Sequence, residues 1–164
     1  MYRQSLAIRL SDEDGYIVAQ TDLPEILDSD EVSGYIYVLS SRSDDPQIST
    51  IKNLHKIGFT RGAVEERIKN AEKSPTYLMA PVNVVASYRT YNLKASALEN
   101  LLHRVFAAVR LDLTQADRKG RPYDPSEWFV VPLPVIDQAI ELIISGGIVD
   151  YVYDPQIQVL VGRS

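Results

Sequence analysis

The alternation of apolar and polar positions predicts an opening strand near residue 34. The segment GYIYVLS, residues 34–40, is rich in aromatic and β-branched residues, which favour a pleated, half-buried surface. Because residues two apart share one face of a strand, Tyr35, Tyr37 and Leu39 lie on the same side. Two tyrosines on one face fit either core packing, with the hydroxyls reaching water, or the wall of a functional site.

The same patterning predicts the remaining secondary structure. Apolar runs predict further strands over 55–59, 82–91, 128–132 and 148–161, the last as a strand or hairpin. A 3.6-residue period predicts helices over 62–73, 94–110 and 134–145, the last stopped by two glycines. Polar or proline-containing connections are predicted over 41–53, 74–81 and 112–127. This order predicts an α+β fold with a small antiparallel or mixed β-sheet flanked by helices.

Two of these helices carry informative stripes. In the helix over 94–110 the apolar stripe comprises Leu98, Leu101, Leu102, Val105, Phe106 and Val109. In the helix over 62–73, which Thr60 could cap, the stripe comprises Ala63, Val64, Arg67, Ile68 and Ala71. Arginine is unexpected on an apolar face, so Arg67 either reaches from that face to water or serves a site.

Three regions of the chain differ in character. Residues 1–33 are rich in Asp and Glu and are predicted to be an acidic arm or linker, although SLAIRL could pair as an edge strand. Residues 34–145 form the predicted domain, and residues 146–164 a C-terminal strand or hairpin extension. The acidic arm suggests further domains of a longer parent chain as partners.

The charge distribution changes the expectation for partners. A net charge of −5 argues against nucleic acid, but it divides into −7 over 1–49, +7 over 50–121 and −5 over 122–164. The basic middle indicates a nucleic-acid surface or an accidental cluster of solvated charges.

Composition excludes several classes of protein. With no cysteine, disulfides, thiolate zinc sites and cysteine nucleophiles are excluded. No apolar run approaches the roughly 18 residues that span a membrane, and no secretory signal opens the sequence, so we expect no membrane partner and a cytoplasmic location.

Candidate chemistry centres on the helix over 94–110. The sequence has no glycine-rich phosphate loop followed by Lys-Ser/Thr, and its two histidines, His55 and His103, do not form a metalloprotease pattern. Glu99 and His103 are four residues apart and share one flank of the helix. Alternatively, Ser96 and Glu99 form a capping box, and His103 is an ordinary histidine at the edge of the surface.

The ordered set of motifs resembles the GIY-YIG nuclease superfamily. GYIYVLS is followed by HKIGFT, Arg67 comes nine residues after Gly58, and Glu99 lies in a helix. The set is most similar to the divergent phage-type branch, whose second motif reads Lys-Ile-Gly, and ALENLLH and EWFVVPL are similar to its later blocks. This resemblance covers about residues 34–145 and implies a divalent-metal endonuclease that hydrolyses DNA phosphodiester bonds.

The resemblance also implies roles for individual residues. Tyr37, with Tyr35 as the fallback, would orient or deprotonate the attacking water. Arg67 would stabilise the charge that builds on the phosphate. Glu99 would hold one Mg²⁺ or Mn²⁺ ion. His103 stands where this branch often has histidine.

Lys56 departs from the usual motif, where a tyrosine stands. It could tune Tyr37, contact phosphate, act as the base, or mark a site that binds without cutting. Gly34 and Gly58 belong to the motifs, and Gly58 either permits a close backbone approach or is a simple strand-end glycine. We match no residue to the asparagine that many family members carry.

DNA contact is assigned to basic residues of the middle region: Arg61, Lys69, Lys73, Arg118, Lys119 and Arg121. Trp128 and Phe129 are predicted to lie in the core. The rival hypotheses are a nucleic-acid-binding module without catalysis on the same scaffold, and a protein-interaction domain that uses the acidic ends.

Overall fold

A five-stranded antiparallel sheet forms the centre of the computed structural model, which describes residues 6–12, 32–112, 115–116, 122–123 and 127–163. In chain order the strands are β1 (Leu6–Asp12), β2 (Val32–Ser41), β3 (Leu54–Thr60), β4 (Val82–Tyr91), β5 (Gln115–Ala116), β6 (Pro122–Tyr123), β7 (Trp128–Val130), β8 (Tyr151–Asp154) and β9 (Val159–Gly162). The central sheet has the order β1-β4-β2-β3-β7, and β5–β6 and β8–β9 form separate antiparallel pairs.

Helices flank this sheet, so the predicted α+β class is confirmed and the sheet is antiparallel throughout. The α-helices are α1 (Pro46–Ser49), α2 (Val64–Ile68), α3 (Ala95–Val105) and α4 (Leu133–Ser145). Short 3-10 turns cover Ala71–Lys73, Pro75–Tyr77, Ala107–Val109 and Gly147–Asp150. Within the described ranges, no helix combines the length and the apolar composition needed to cross a membrane.

The two faces of the sheet pack against different partners, as the period-two pattern of β2 predicts. Ile36 and Val38 join the larger core, with side chains of β3, α3, α4 and the C-terminal hairpin. Tyr37 and Leu39 point to the other face and pack with Val64, Ala71 and Tyr77. The larger core therefore fixes the sheet, while the smaller cluster lies where tyrosines and charged residues meet.

The helix predicted over 62–73 is shorter in the structure. It spans Val64–Ile68, and its N-cap residue, Ala63, makes no side-chain capping bond. Thr60 is not the cap, because its hydroxyl accepts the Gly62 N–H at 3.3 Å in the preceding turn. An uncapped helix of few residues gains little from its own hydrogen bonds, which explains the early end.

The long helix also ends earlier than predicted, at Val105, and continues as a 3-10 turn. Leu101 is 39% exposed, so the buried stripe is narrower than the predicted one. The N-cap residue is Lys94, without a side-chain capping bond, which places Ser96 inside the helix and excludes the capping box. Glu99 is thereby available for other contacts.

Three further features refine the predicted connections. The loop over 41–53 contains α1, where Asp45 accepts the Gln47 N–H at 2.9 Å and Pro46 opens the helix. The connection over 112–127 contains β5 and β6. SLAIRL contributes to β1, an edge strand antiparallel to β4, and the Arg9 guanidinium contacts the Asp137 carboxylate of α4 at 2.9 Å.

Candidate active site

The site lies on the tyrosine face of the β2–β3 hairpin. Tyr37 is opposite Gly58, and Leu39 is opposite Lys56, so side chains from both strands meet on one face. Tyr37 is only 1% exposed. Its hydroxyl is therefore not exposed to solvent, and in this structure its hydrogen-bond partners come from the protein.

Gly58 makes room for the Tyr37 ring. A Cβ at position 58 would lie 2.6 Å from both Cζ and Oη of Tyr37, far inside contact distance. Of the two interpretations of this glycine, the close approach is the one that the structure shows. Gly34, the other motif glycine, has φ of 152° and lies where the β2–β4 register shifts.

Lys56 is a buried cation with three partners. Its side chain is 1% exposed, and its Nζ lies 2.7 Å from Oε2 of Glu127, just before β7. The same Nζ lies 5.4 Å from the Tyr37 ring centroid and 5.3 Å from that of Tyr77. Two aromatic faces and one carboxylate thus replace the water that the ammonium loses on burial.

Tyr77, which sequence reasoning missed, connects Tyr37 to the α2 backbone. It lies at the end of the 3-10 turn Pro75–Tyr77. Its hydroxyl is 3.5 Å from that of Tyr37 and donates to the Arg67 carbonyl at 3.2 Å. Burial, followed by the hydrogen bond with Tyr37, raises the pKa of Tyr77 to about 12, so this phenol stays protonated near neutral pH.

Arg67 reaches the cluster from the last turn of α2. The residue as a whole is exposed, as expected of an arginine that reaches from an apolar face to water. A side-chain interaction with the Tyr37 hydroxyl is nevertheless the largest cause that raises the pKa of Arg67. The arrangement leaves a permanent positive charge beside Tyr37 with access to solvent.

Glu99 approaches from α3 at the end of β3. Burial is the main cause that raises its pKa, and the Glu127 carboxylate adds to the effect, while Lys56, the Phe59 backbone and Arg67 oppose it. The site therefore holds two carboxylates, of which Glu127 contacts the Lys56 ammonium. Glu127 was missed as a site residue, although its segment EWFVVPL stands out in the sequence.

His103 anchors α3 to β3. Its Nε2 lies 2.8 Å from the Ile57 carbonyl, so Nε2 carries the hydrogen, and its ring lies 5.0 Å from that of Phe129. Burial lowers the pKa of His103, so the ring is neutral near pH 7. Its placement fixes the distance between the Glu99 helix and the strand that carries Lys56.

The other predicted residues lie around this cluster or outside the described part. Tyr35 is half-buried, with the Arg89 guanidinium 5.9 Å from its ring centroid. Arg61, Lys69 and Lys73 are exposed, and Lys69 forms an ion pair with Glu66 at 3.0 Å. Arg118, Lys119 and Arg121 lie outside the described residues.

The predicted core positions of Trp128 and Phe129 are confirmed, since both are fully buried. Trp128 also donates its indole N–H to the Thr76 carbonyl at 3.0 Å. Trp128 therefore holds the turn that carries Tyr77, while its neighbour Glu127 holds Lys56.

Together these observations define an α+β domain with a polar cluster of two tyrosines, a buried lysine, an arginine and two glutamates. The chain belongs to the T5orf172 domain family, whose sequence model matches residues 34–144. This family is associated with nuclease-like and DNA-binding functions.

A curated relative extends this match. The protein named "Uncharacterized protein YeeC" from Bacillus subtilis (strain 168) is 47% identical over 124 residues, which cover 76% of this chain. The chain spans only 32% of the length of that relative. No solved structure matches this sequence.

The family match corrects the assignment made from the motifs. The family model that matches is that of the T5orf172 domain, so the assignment to the GIY-YIG superfamily is replaced. Short motifs such as Lys-Ile-Gly carry little information singly, whereas the family model scores more than 100 positions together. The roles inferred from that resemblance must therefore be argued from the contacts in the site.

Proposed function

We propose that this domain hydrolyses phosphodiester bonds in DNA at the cluster of Tyr37, Lys56, Arg67, Glu99 and Glu127. The observation that carries the proposal is the buried Tyr37, which has a guanidinium and an ammonium on its sides and a carboxylate on a neighbouring helix. Cations near a phenol, together with a carboxylate from a neighbouring helix, suit attack by water on an anionic phosphorus centre.

Arg67 and Tyr37 would carry the first part of the reaction. The exposed guanidinium of Arg67 would bind a phosphate oxygen and stabilise the charge that builds there. The Tyr37 oxygen would accept a hydrogen bond from the attacking water and orient it. The water oxygen then bonds to phosphorus and loses a proton to solvent, the bond to the leaving sugar oxygen breaks, and that oxygen takes up a proton from solvent, so that one water molecule is consumed.

In this proposal Glu99 is the residue that would hold a divalent cation. Burial and a second carboxylate raise the pKa of Glu99. A bound cation would favour the ionised carboxylate and so lower this pKa. Within the described ranges no three His, Asp or Glu residues form a cluster, but Mg²⁺ often uses one or two carboxylates together with substrate phosphate. Glu99 would hold Mg²⁺ or Mn²⁺, which when bound supplies Lewis acidity.

DNA would lie along the exposed basic residues near the site. A cleft of about 230 Å³ adjoins Arg67 and Tyr77 and is lined by Lys69, Asn70 and Ser74 among others. Exposed cations give salt-sensitive, sequence-independent affinity for phosphate. The proposed path therefore runs from the Arg67 guanidinium across the end of α2.

The test is cleavage of plasmid DNA by the purified chain with Mg²⁺, Mn²⁺ or a chelator. We expect metal-dependent nicking that Glu99→Gln reduces at least a hundredfold, while Glu65→Gln, an exposed carboxylate on α2, leaves the rate unchanged. Equal rates for wild type and Glu99→Gln would refute the assignment of Glu99.

A binding module without catalysis is the second candidate, favoured by the ion pair that already engages Lys56. It predicts DNA affinity that falls with salt but no cleavage with any metal. Replacing Lys69 and Lys73 by Gln should reduce the slope of log affinity against log salt by up to about 2 if both contact phosphate.

A further inference from the structure

Tyr77 occupies a defined place in a chain of hydrogen bonds. Its hydroxyl has one hydrogen, and a carbonyl oxygen can only accept, so the 3.2 Å contact with the Arg67 carbonyl uses that hydrogen. The Tyr77 oxygen, 3.5 Å from the Tyr37 oxygen, is left as an acceptor. Counting hydrogens therefore makes Tyr37 the donor in the contact between the two phenols.

The other side of Tyr37 faces the Arg67 side chain. A guanidinium has donors only, so the Tyr37 oxygen accepts from it. The bonds then run from the Arg67 guanidinium to Tyr37, from Tyr37 to Tyr77, and from Tyr77 to the Arg67 carbonyl. The two phenol contacts, at 3.5 and 3.2 Å, run in this same direction, and each bond polarises the next.

The direction of the contact between Tyr37 and Tyr77 decides whether the Tyr37 oxygen can accept a further hydrogen bond. A phenol oxygen has two acceptor sites, and the Arg67 guanidinium uses one of them. Because the Tyr37 hydrogen points to Tyr77, it does not occupy the second acceptor site, and a water molecule that enters the site during the reaction can donate to it. Without the Tyr77 hydroxyl, the Tyr37 hydrogen could rotate towards the second acceptor site. An approaching water molecule would then face an O–H donor instead of a lone pair.

Tyr77 is well held for such a role. It is 5% exposed, its ring faces the Lys56 ammonium at 5.3 Å, and Trp128 fixes the carbonyl of the preceding residue at 3.0 Å. The charged groups that face it are Lys56 and Arg67. Its raised pKa agrees with a phenol that keeps its hydrogen for the Arg67 carbonyl.

We propose that Tyr77 is a positioning residue that takes the hydrogen of Tyr37 and so keeps a Tyr37 lone pair open for the attacking water. This inference rests on the proposed phosphodiester hydrolysis. The contact of 3.5 Å is long in the free protein, and catalytic hydrogen bonds of this kind often tighten only when substrate binds.

The test combines kinetics with a measurement that needs no activity. Tyr77→Phe keeps the ring beside Lys56 and removes only the hydroxyl; Tyr153→Phe, at a similarly buried tyrosine of the larger core, is the matched control. In protein labelled with ¹³C at tyrosine Cζ, we expect Tyr77→Phe to move the Tyr37 resonance and Tyr37→Phe to move that of Tyr77. With DNA, kcat for Tyr77→Phe should fall about tenfold, with KM within twofold.

The two measurements separate the possible failures. A Tyr37 resonance that is the same in wild type and Tyr77→Phe overturns the inference, whatever the cleavage rate. A shifted resonance with an unchanged kcat overturns the positioning role while the proposed hydrolysis stands. If Tyr77→Phe moves the Tyr37 resonance but the wild-type protein cuts no DNA, the proposed function fails although the hydrogen bond between the two tyrosines exists. The positioning role then fails with it.

Discussion

Removing the Glu127 carboxylate tests whether Lys56 depends on its partner. The Lys56 side chain is 1% exposed and its Nζ lies 2.7 Å from Glu127, so Glu127→Ala leaves a buried ammonium between two aromatic faces without the carboxylate that it contacts. Breaking a buried ion pair costs about 3–5 kcal/mol. Because the Glu127 side chain is 34% exposed, water replaces part of the lost interaction, and we expect about 3 kcal/mol.

Urea unfolding followed by circular dichroism measures this loss. For a slope of about 2 kcal/mol/M, a loss of about 3 kcal/mol lowers the midpoint by about 1.5 M. The control is Glu66→Ala, which breaks the pair of Lys69 and Glu66, whose side chains are 62% and 74% exposed. Exposed pairs contribute about 0–1 kcal/mol, so this midpoint should hardly move.

A second variant separates the ion pair from packing. Lys56→Met combined with Glu127→Leu removes both charges and should recover most of the stability, because buried pairs can be replaced by apolar residues at little cost. The reasoning is refuted if Glu127→Ala costs no more than Glu66→Ala. It is also refuted if the double variant is as unstable as Glu127→Ala alone, since the loss would then come from packing.

Three further predictions follow from the contacts of the site. Gly58→Ala should displace the Tyr37 ring and reduce cleavage at least tenfold with near-native circular dichroism, while Gly62→Ala, whose Cβ would meet nothing within 4 Å, should leave cleavage unchanged. The folded pKa of His103 lies below its unfolded value of about 6.5, so the unfolded state binds more protons and stability falls as the pH drops below about 6.5. The urea midpoint of His103→Gln should fall less with pH than that of the wild type. An equal fall would exclude His103 as the source of the pH dependence. The pKa of Glu99 is raised, so ionisation above that pKa destabilises the fold; Glu99→Gln should unfold at a higher urea concentration than wild type at pH 7, and a lower midpoint would contradict this.

The sequence alone predicts the parts of the site that depend on local periodicity. The period-two pattern of β2 places Tyr37 away from Ile36 and Val38, and the β2–β3 hairpin brings Lys56 to the same face. The helical period places Glu99 beside the buried stripe of α3. These elements are long or strongly patterned, so tertiary contacts have little scope to override the pattern.

The contacts of Tyr77 and Glu127 could not be read from the sequence. Tyr77 meets Tyr37 across 40 residues, and Glu127 meets Lys56 across 71, and no local period encodes such pairs. Tyr77 lies in a connection with two prolines, where a 3-10 turn rather than a helix or strand sets its direction. An aromatic residue between two prolines and an acidic residue just before WFVV were the available signals, and neither specifies a partner.

Helix ends were predicted least well, for a related reason. A stripe of apolar residues shows which face of a helix is buried, whereas its end depends on capping contacts. Lys94 and Ala63, the N-cap residues, make no side-chain capping bond, so the suggested caps at Ser96 and Thr60 were wrong, and both helices end earlier than predicted.

The unequal cover of the two sheet faces has a consequence for motion. α3 and α4 span 11 and 13 residues over the larger core, whereas α2 spans five residues over the tyrosine face. Segments with few buried apolar contacts open at a lower free energy than the core. The backbone amides of α2, which lies over Tyr37, should therefore exchange with deuterium before those of α4, which lies over the larger core.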